Sequence, residues 1–244
     1  MDGSNKGQGF FDGNPKMIFV FGLVTGIAVT AIFGGGINLP TLNAAGGARG
    51  SDDRVVADFN DTNTGGTAPA AAELAPVTAD EHIRGDITKA KVVLVEYSDF
   101  ECPFCSRHHP SMVQAMEEYG DDIAWVYRHF PLSFHPQARP SALASECAAE
   151  QGKFWEYADE LFANQDQLGD AYYTQLAGEL GLNTGEFTEC YESERYADIV
   201  DADQATGATA GVSGTPATFV NGVLVSGAVP YSTLQSAIED MMAE

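Results

Sequence analysis

Two cysteines in the segment Cys102-Pro103-Phe104-Cys105 offer the clearest chemistry in this chain. They follow a strongly β-forming run at 91–97 and open a segment whose apolar residues recur at helical spacing. Thiols at positions i and i+3 of a first helical turn can close a small disulfide ring. The unpaired backbone N–H groups and the positive helix end favour the thiolate of the first cysteine and lower its pKa. The pair therefore predicts thiol–disulfide exchange.

The same two thiols could instead bind a metal ion. Cys102, Cys105 and His109 could converge on Zn²⁺, since His109 lies one helical turn after Cys105. A fourth ligand is missing, and the position between a strand and a helix suits redox chemistry better, so we expect no metal. The other two cysteines, Cys147 and Cys190, predict a structural disulfide in a helical region, with a second redox pair or two free thiols as alternatives.

Composition limits the range of partners. The chain has 244 residues and a net charge of −23, and its twelve Lys and Arg residues are scattered without a basic block. A strongly acidic surface repels polyanions, so nucleic acid and anionic lipid are poor partners, and no nucleic-acid binding is expected.

The N-terminal third predicts a membrane anchor and a tether. Residues 17–37 carry no charge and as a helix would span about 31 Å, which matches the hydrocarbon core of a bilayer. Lys6 and Lys16 precede this span, which places residues 1–16 in the cytoplasm and the remainder outside. Residues 38–77 are predicted as a flexible linker. A cleaved signal peptide and the reversed topology are the alternatives.

Residues 78–244 are predicted to fold as one α/β domain. Strand, helix and a second strand at 123–129 predict a parallel pair with a right-handed crossover. A helical block follows at about 134–210. The turn Asn221-Gly222 then predicts an antiparallel hairpin, and a last helix occupies 231–242.

Three blocks of this domain resemble one known family. They are VLVEYSDFECPFC at 93–105, ASECAAEQGKFW at 144–155 and GVSGTPATFVNG at 211–222. In this order they resemble the DsbA-like thiol:disulfide oxidoreductases of the thioredoxin superfamily, and the membrane span resembles that of tethered members. The resemblance implies a thioredoxin fold with an inserted helical domain, preceded by a single transmembrane helix and a flexible tether.

The resemblance also implies roles for single residues. Cys102 corresponds to the exposed nucleophile, Cys105 to the cysteine that resolves the mixed disulfide, and Glu96 to the acidic residue that accepts the Cys105 proton. Pro216 corresponds to a cis-proline. Thr215 before it would present its backbone N–H and C=O to an extended client segment.

The expected function is oxidation of cysteine pairs in unfolded or reduced extracytoplasmic proteins, without a cofactor. The expected location is the cell membrane, and a quinone-linked membrane thiol oxidase is the recycling partner that the resemblance implies. Strongly oxidising relatives carry Pro-His between the cysteines, whereas this chain has Phe104, which predicts a less oxidising potential. A reductase or isomerase with the same site is the nearest alternative, followed by a tethered metal-binding or thiol-chaperone module.

Overall fold

The computed structural model describes residues 74–243. The predicted N-terminal segment 1–16, the predicted membrane helix 17–37 and all but the end of the predicted linker lie outside these residues. The strands are β1 His82–Arg84, β2 Val92–Ser98, β3 Ile123–His129, β4 Ala217–Val220 and β5 Val223–Ser226. The α-helices are α1 Pro103–Tyr119, α2 Ala138–Ala149, α3 Phe154–Ala163, α4 Asp170–Glu179, α5 Thr184–Glu192, α6 Ala197–Thr209 and α7 Tyr231–Met242.

The five strands form one sheet in the order β1-β3-β2-β4-β5. The central strand β2 pairs in parallel with β3 and antiparallel with β4, and β5 extends the sheet antiparallel to β4. The parallel pair and the final hairpin are as the sequence predicts. The short edge strand β1, antiparallel to β3, was not predicted, because three residues carry no periodic signal.

Helices cover both faces of the sheet. On one face Leu94 and Trp125 pack with Met112 of α1 and Leu234 of α7. The other face lies against α6, where Gly207 allows a close approach: a Cβ atom there would lie 2.8 Å from ring atoms of Tyr97 and Phe130. Side chains alternate between the two faces of β2. Glu96 and Ser98 therefore lie on the same face as Leu94, towards α1.

Helices α2 to α6 form the block between β3 and β4. The sequence predicts this block at about 134–210, and the helices lie within Ala138–Thr209. The separate helix α5 was not predicted. Its start is fixed by Asn183, whose side chain accepts hydrogen bonds from the backbone N–H groups of Gly185 and Glu186. The core of the block, which includes Tyr157 and Phe187, is continuous with Cys102 and Cys105.

Candidate active site

Cys102 lies at the junction of β2 and α1. It is the N-cap residue of α1, with Pro103 at the first helical position, where a missing N–H has no cost. The loop before it is held by buried Asp99, whose side chain accepts hydrogen bonds from Glu101 N at 2.8 Å, Leu132 N at 3.0 Å and His135 Nδ1 at 2.7 Å. This loop therefore fixes where the first turn of the helix, and with it the cysteine pair, begins.

The two thiols have opposite acidities. Interaction with Cys105 lowers the pKa of Cys102 to about 5, against the opposing effect of burial, and Thr215 and the backbone N–H groups of Cys105 and Phe104 add to the effect. Burial raises the pKa of Cys105 well above its usual value, and the Cys102 sulfur raises it further. Cys102 is thus ionised at neutral pH while Cys105 holds its proton.

Thr215 and Pro216 lie directly beside Cys102. The Thr215–Pro216 peptide bond is cis, and the Cys102 thiol donates a 3.5 Å hydrogen bond to the Thr215 carbonyl oxygen. The Pro216 carbonyl accepts a hydrogen bond from Gly227 N at 2.8 Å, which ties this corner to the end of β5. The structure therefore brings Cys102, Cys105, Thr215 and Pro216 into one site.

Glu96 lies beneath Cys105 in a buried polar pocket. Its neighbours in register are Tyr127 on β3 and Thr218 on β4. Glu96 is fully buried, and neither carboxylate oxygen has a hydrogen-bond partner among residues 74–243. Its charge raises the pKa of Cys105, after the larger effects of burial and Cys102, and also raises that of Tyr127, after burial. The carboxylate is therefore within electrostatic reach of the thiol that must lose its proton.

His108 belongs to the same pocket, and sequence analysis missed it. His108 is 1 % exposed and its Nε2 lies 3.1 Å from Thr218 Oγ1. Burial lowers its pKa, and Glu96 partly opposes that shift. The available signal was its spacing: His108 follows Cys105 by three residues and so lies on the same buried helix face. We call Glu96, Ser98, His108, Tyr127 and Thr218 the Glu96 pocket.

The expectation of an exposed Cys102 is not met, since the residue is 2 % exposed. Cys102 belongs to the core of the helical block, and the Gln165 side chain ties that block to the loop by donating hydrogen bonds to the carbonyl oxygens of Phe100 at 2.6 Å and Cys102 at 3.0 Å. By contrast, Phe104 is 53 % exposed and the Arg107 guanidinium lies 4.6 Å from its ring centroid. The Phe104 side chain is therefore more accessible at this surface than the Cys102 sulfur.

Cys147 and Cys190 lie apart from this site. They form a disulfide between α2 and α5, with their Cα atoms 5.8 Å apart. Both are buried in the core of the helical block.

The metal alternative at the active site finds no geometric support. His109 Nε2 donates a 2.9 Å hydrogen bond to Asp159 Oδ1. Within residues 74–243, Cys102, Cys105 and His109 do not form a group of convergent ligands.

The fold and the site place the chain among the thioredoxin-like proteins. The thioredoxin family model matches residues 78–240, and the chain belongs to that family. Its fold is shared by DsbA-like proteins. It matches Wolbachia pipientis alpha-DsbA1 with a TM-score of 0.62 and 22 % identity, over 71 % of this chain and 96 % of that one. It matches oxidised BdbD from Bacillus subtilis with a TM-score of 0.60 and 22 % identity, over 67 % and 94 %.

A third similarity is to a much longer protein. The Na(+)/H(+) antiporter NhaA 1 of Mycolicibacterium vanbaalenii is 41 % identical over 170 residues, which cover 68 % of this chain and 27 % of the antiporter. The chain thus spans about a quarter of the length of the curated relatives it matches. Within residues 74–243, none of the helices combines the length and the apolar character needed to cross a bilayer.

Proposed function

We propose that this chain is a protein thiol:disulfide oxidoreductase that oxidises cysteine pairs in client proteins through a Cys102–Cys105 disulfide. The opposed acidities of the two thiols carry this proposal. A low pKa at Cys102 stabilises the reduced form, and a stabilised reduced form makes the disulfide a stronger oxidant. The fold shared with DsbA-like proteins supports it.

The proposed reaction has two exchange steps. A client thiolate attacks the Cys102 sulfur of the disulfide, and the Cys105 sulfur leaves and takes up a proton in the Glu96 pocket. A second client thiolate then attacks the client sulfur of the mixed disulfide, and Cys102 leaves as a thiolate. The client becomes oxidised by two electrons and the enzyme reduced. The low pKa of Cys102 makes it a good leaving group in the second step.

Glu96 is the proposed proton carrier for Cys105. It lies near that thiol in a buried pocket, and its carboxylate oxygens have no hydrogen-bond partner among residues 74–243. A carboxylate without fixed partners is free to exchange a proton with the sulfur. In the reoxidation half of the cycle Glu96 accepts the Cys105 proton, and in the oxidation half it returns one.

Thr215 is the proposed docking point for the client backbone. Its carbonyl oxygen is within 3.5 Å of the Cys102 sulfur, so an extended segment paired there would present its cysteine at the right place. Phe104 and Phe134, 53 % and 73 % exposed, offer apolar contacts to an unfolded client. Phe134 precedes His135, which binds the active-site loop through Asp99.

The proposed location is the extracytoplasmic side of the cell membrane. The Cys147–Cys190 disulfide supports an oxidising compartment. The uncharged segment 17–37 supports a single-pass anchor. A quinone-linked membrane thiol oxidase is the proposed recycling partner, because each turnover leaves the cysteine pair reduced. Antiport is not proposed for this chain, because the similarity covers 27 % of the antiporter.

A reductase or isomerase is the second candidate, and Phe104 is the observation that favours it. A histidine at this position would add a hydrogen-bond donor near the Cys102 thiolate, which an exposed phenylalanine does not. The direction of reaction depends on the reduction potential, so the potential separates the two candidates.

Equilibration of the protein with glutathione buffers tests the direction. We expect a potential between about −120 and −200 mV, whereas a value near about −270 mV, as in thioredoxin, would contradict the oxidase. Alkylation of the reduced protein as a function of pH should give a Cys102 midpoint near pH 5.

Cys105→Ala should accumulate mixed disulfides with client proteins, and the Cys102→Ala, Cys105→Ala double variant should accumulate none. Absence of trapped clients in both would contradict an exchange enzyme.

A further inference from the structure

Two histidines and a glutamate that are not part of the Glu96 pocket converge on one point. Glu146 Oε1 on α2 lies 2.6 Å from His82 Nε2 on β1 and 2.8 Å from His129 Nε2 at the end of β3. All three ligand atoms lie within 4.8 Å of one another. We call these three residues the Glu146 cluster. The redox chemistry proposed above makes no use of them.

The imidazole rings are held in place by other parts of the fold. The ring of His82 stacks on that of Phe154, with centroids 3.5 Å apart and an interplanar angle of 5°. The His129 ring meets Phe154 and Phe100 edge to face. The backbone N–H of His129 is fixed by Asp203 Oδ2 at 2.9 Å. The rings are thus oriented before any ligand arrives, which lowers the entropic cost of binding one.

A small acidic cavity adjoins the cluster. It has a volume of about 60 Å³, and His82 and Glu146 line it together with Asp80, Glu81 and Asp203. This volume is enough for one or two water molecules. Arg128 is paired with Glu81, and the remaining carboxyl groups of the lining and the overall charge of −23 raise the local concentration of cations. The side chains of Glu146 and His129 are 3 % and 1 % exposed, and that of His82 is 16 % exposed, so the cluster is buried but reachable from this side.

We propose that His82 Nε2, His129 Nε2 and Glu146 Oε1 bind a divalent transition-metal ion of the Zn²⁺ class, with a water molecule from the cavity as fourth ligand. Two imidazoles, one carboxylate and water form a common Zn²⁺ ligand set, whereas Ca²⁺ and Mg²⁺ select oxygen ligands. Tetrahedral Zn²⁺ at its usual bond lengths separates neighbouring ligand atoms by about 3.3 Å. The His82 and Glu146 donor atoms therefore need to move apart by about 0.7 Å, which the partly exposed His82 can supply, and those of His129 and Glu146 by about 0.5 Å.

Such an ion would join β1, β3 and α2, three elements that are distant in sequence. It would tie the short edge strand β1 to the sheet and to the helical block. Its expected effect is therefore on stability rather than on the exchange reaction, and binding to the folded state alone would raise the melting temperature.

The test uses the full chain without a polyhistidine tag, stripped with a chelator and with the Cys102–Cys105 disulfide formed. With both cysteine pairs oxidised, the five histidines are the remaining strong transition-metal ligands of the sequence. Isothermal titration with Zn²⁺ should give one site per chain. His82→Gln should weaken binding by about 100-fold or more, since even partners outside the ligand set cost 10- to 100-fold. His82 is the variant of choice because it is the least buried ligand.

His109→Gln is the matched control. His109 also pairs with one carboxylate, Asp159, but lacks a third ligand, so this variant should bind Zn²⁺ as the unaltered protein does. Co²⁺ should give d–d absorption bands without thiolate charge transfer. Failure of the oxidised protein to bind Zn²⁺, equal affinity in His82→Gln, an equal loss in His109→Gln, or displacement of Zn²⁺ by a similar concentration of Ca²⁺ would each overturn the proposal. Near-ultraviolet circular dichroism confirms that each variant is folded.

Discussion

Glu96 and Glu146 are two buried carboxylates in one small domain, and they differ in their hydrogen-bond partners. Glu146 is 3 % exposed and receives two histidine partners through a single oxygen. Glu96 is fully buried and has no hydrogen-bond partner among residues 74–243. Burying a carboxylate is costly unless it is paired, so only the first arrangement is favourable for stability.

The difference indicates a structural role for Glu146 and a role in proton transfer for Glu96. Burial opposes the ionisation of Glu146, but the hydrogen bonds from His129 and His82 outweigh it and lower its pKa to about 2. Glu146 is therefore a fixed negative charge that holds β1, β3 and α2 together. Glu96 has instead a mobile thiol proton nearby, on Cys105. A buried carboxylate without hydrogen-bond partners lowers the stability of the domain. The position of Glu96 under the redox pair indicates that this carboxylate serves the exchange reaction instead.

Removal of the paired carboxylate should have the largest effect. Glu146→Ala leaves two buried imidazoles without their acceptor and opens a cavity, so we expect a loss of about 4 kcal/mol in the free energy of unfolding. Urea denaturation in the presence of a chelator measures it. Glu156→Ala, which removes an exposed partner of Lys153, should cost about 0.5 kcal/mol or less. Similar losses in the two variants would show that the Glu146 cluster does not stabilise the domain.

Of these two carboxylates, only Glu96 could be assigned a role from the sequence. Glu96 could be assigned through the family resemblance of the segment that leads into Cys102-Pro103-Phe104-Cys105, and strand alternation in the structure places it on the helix side of the sheet. Glu146 could not be assigned, because its partners are 64 and 17 residues away and one of them lies in the unpredicted strand β1. Local periodicity predicted the sheet and most helices, whereas long-range side-chain pairs depend on how the helical block packs.

In the active site, too, the sequence predicts residues in short motifs but not long-range side-chain contacts. The positions of Cys102, Cys105, Thr215 and Pro216 follow from short motifs, and the structure groups them. The burial of His108 depends on the pairing of Thr218 beside Glu96, which no local pattern encodes. The burial of Cys102 depends on how the helical block packs against it, and no motif marks Gln165, which binds the Cys102 carbonyl oxygen.

Acid should remove the stabilisation by Glu146. Its pKa in the folded state, about 2, is below the ordinary value of 4.5, so its contribution is complete above about pH 5 and is lost as the pH falls towards 2. By pH 3 the loss is about 2 kcal/mol. The measurement is the unfolding free energy at pH 6 and pH 3 for the unaltered protein and for Glu146→Gln, which does not titrate there. Equal acid losses in the two proteins would contradict the assignment.

Replacement of the unpaired carboxylate should change rate and leave stability intact. Glu96→Gln keeps the shape of the side chain but removes the proton carrier for Cys105, so oxidation of a reduced client peptide should slow by about tenfold, or about 1.4 kcal/mol in the barrier. The free energy of unfolding should stay constant or rise, because a buried charge without a partner is removed. Stopped-flow fluorescence at neutral pH gives the rate, and urea denaturation gives the stability.

Glu117→Gln, the same change at an exposed position of α1, is the control and should alter neither quantity. If Glu96→Gln unfolds the domain while its folded fraction turns over at the original rate, Glu96 is a structural group like Glu146, and the distinction between the two carboxylates is wrong.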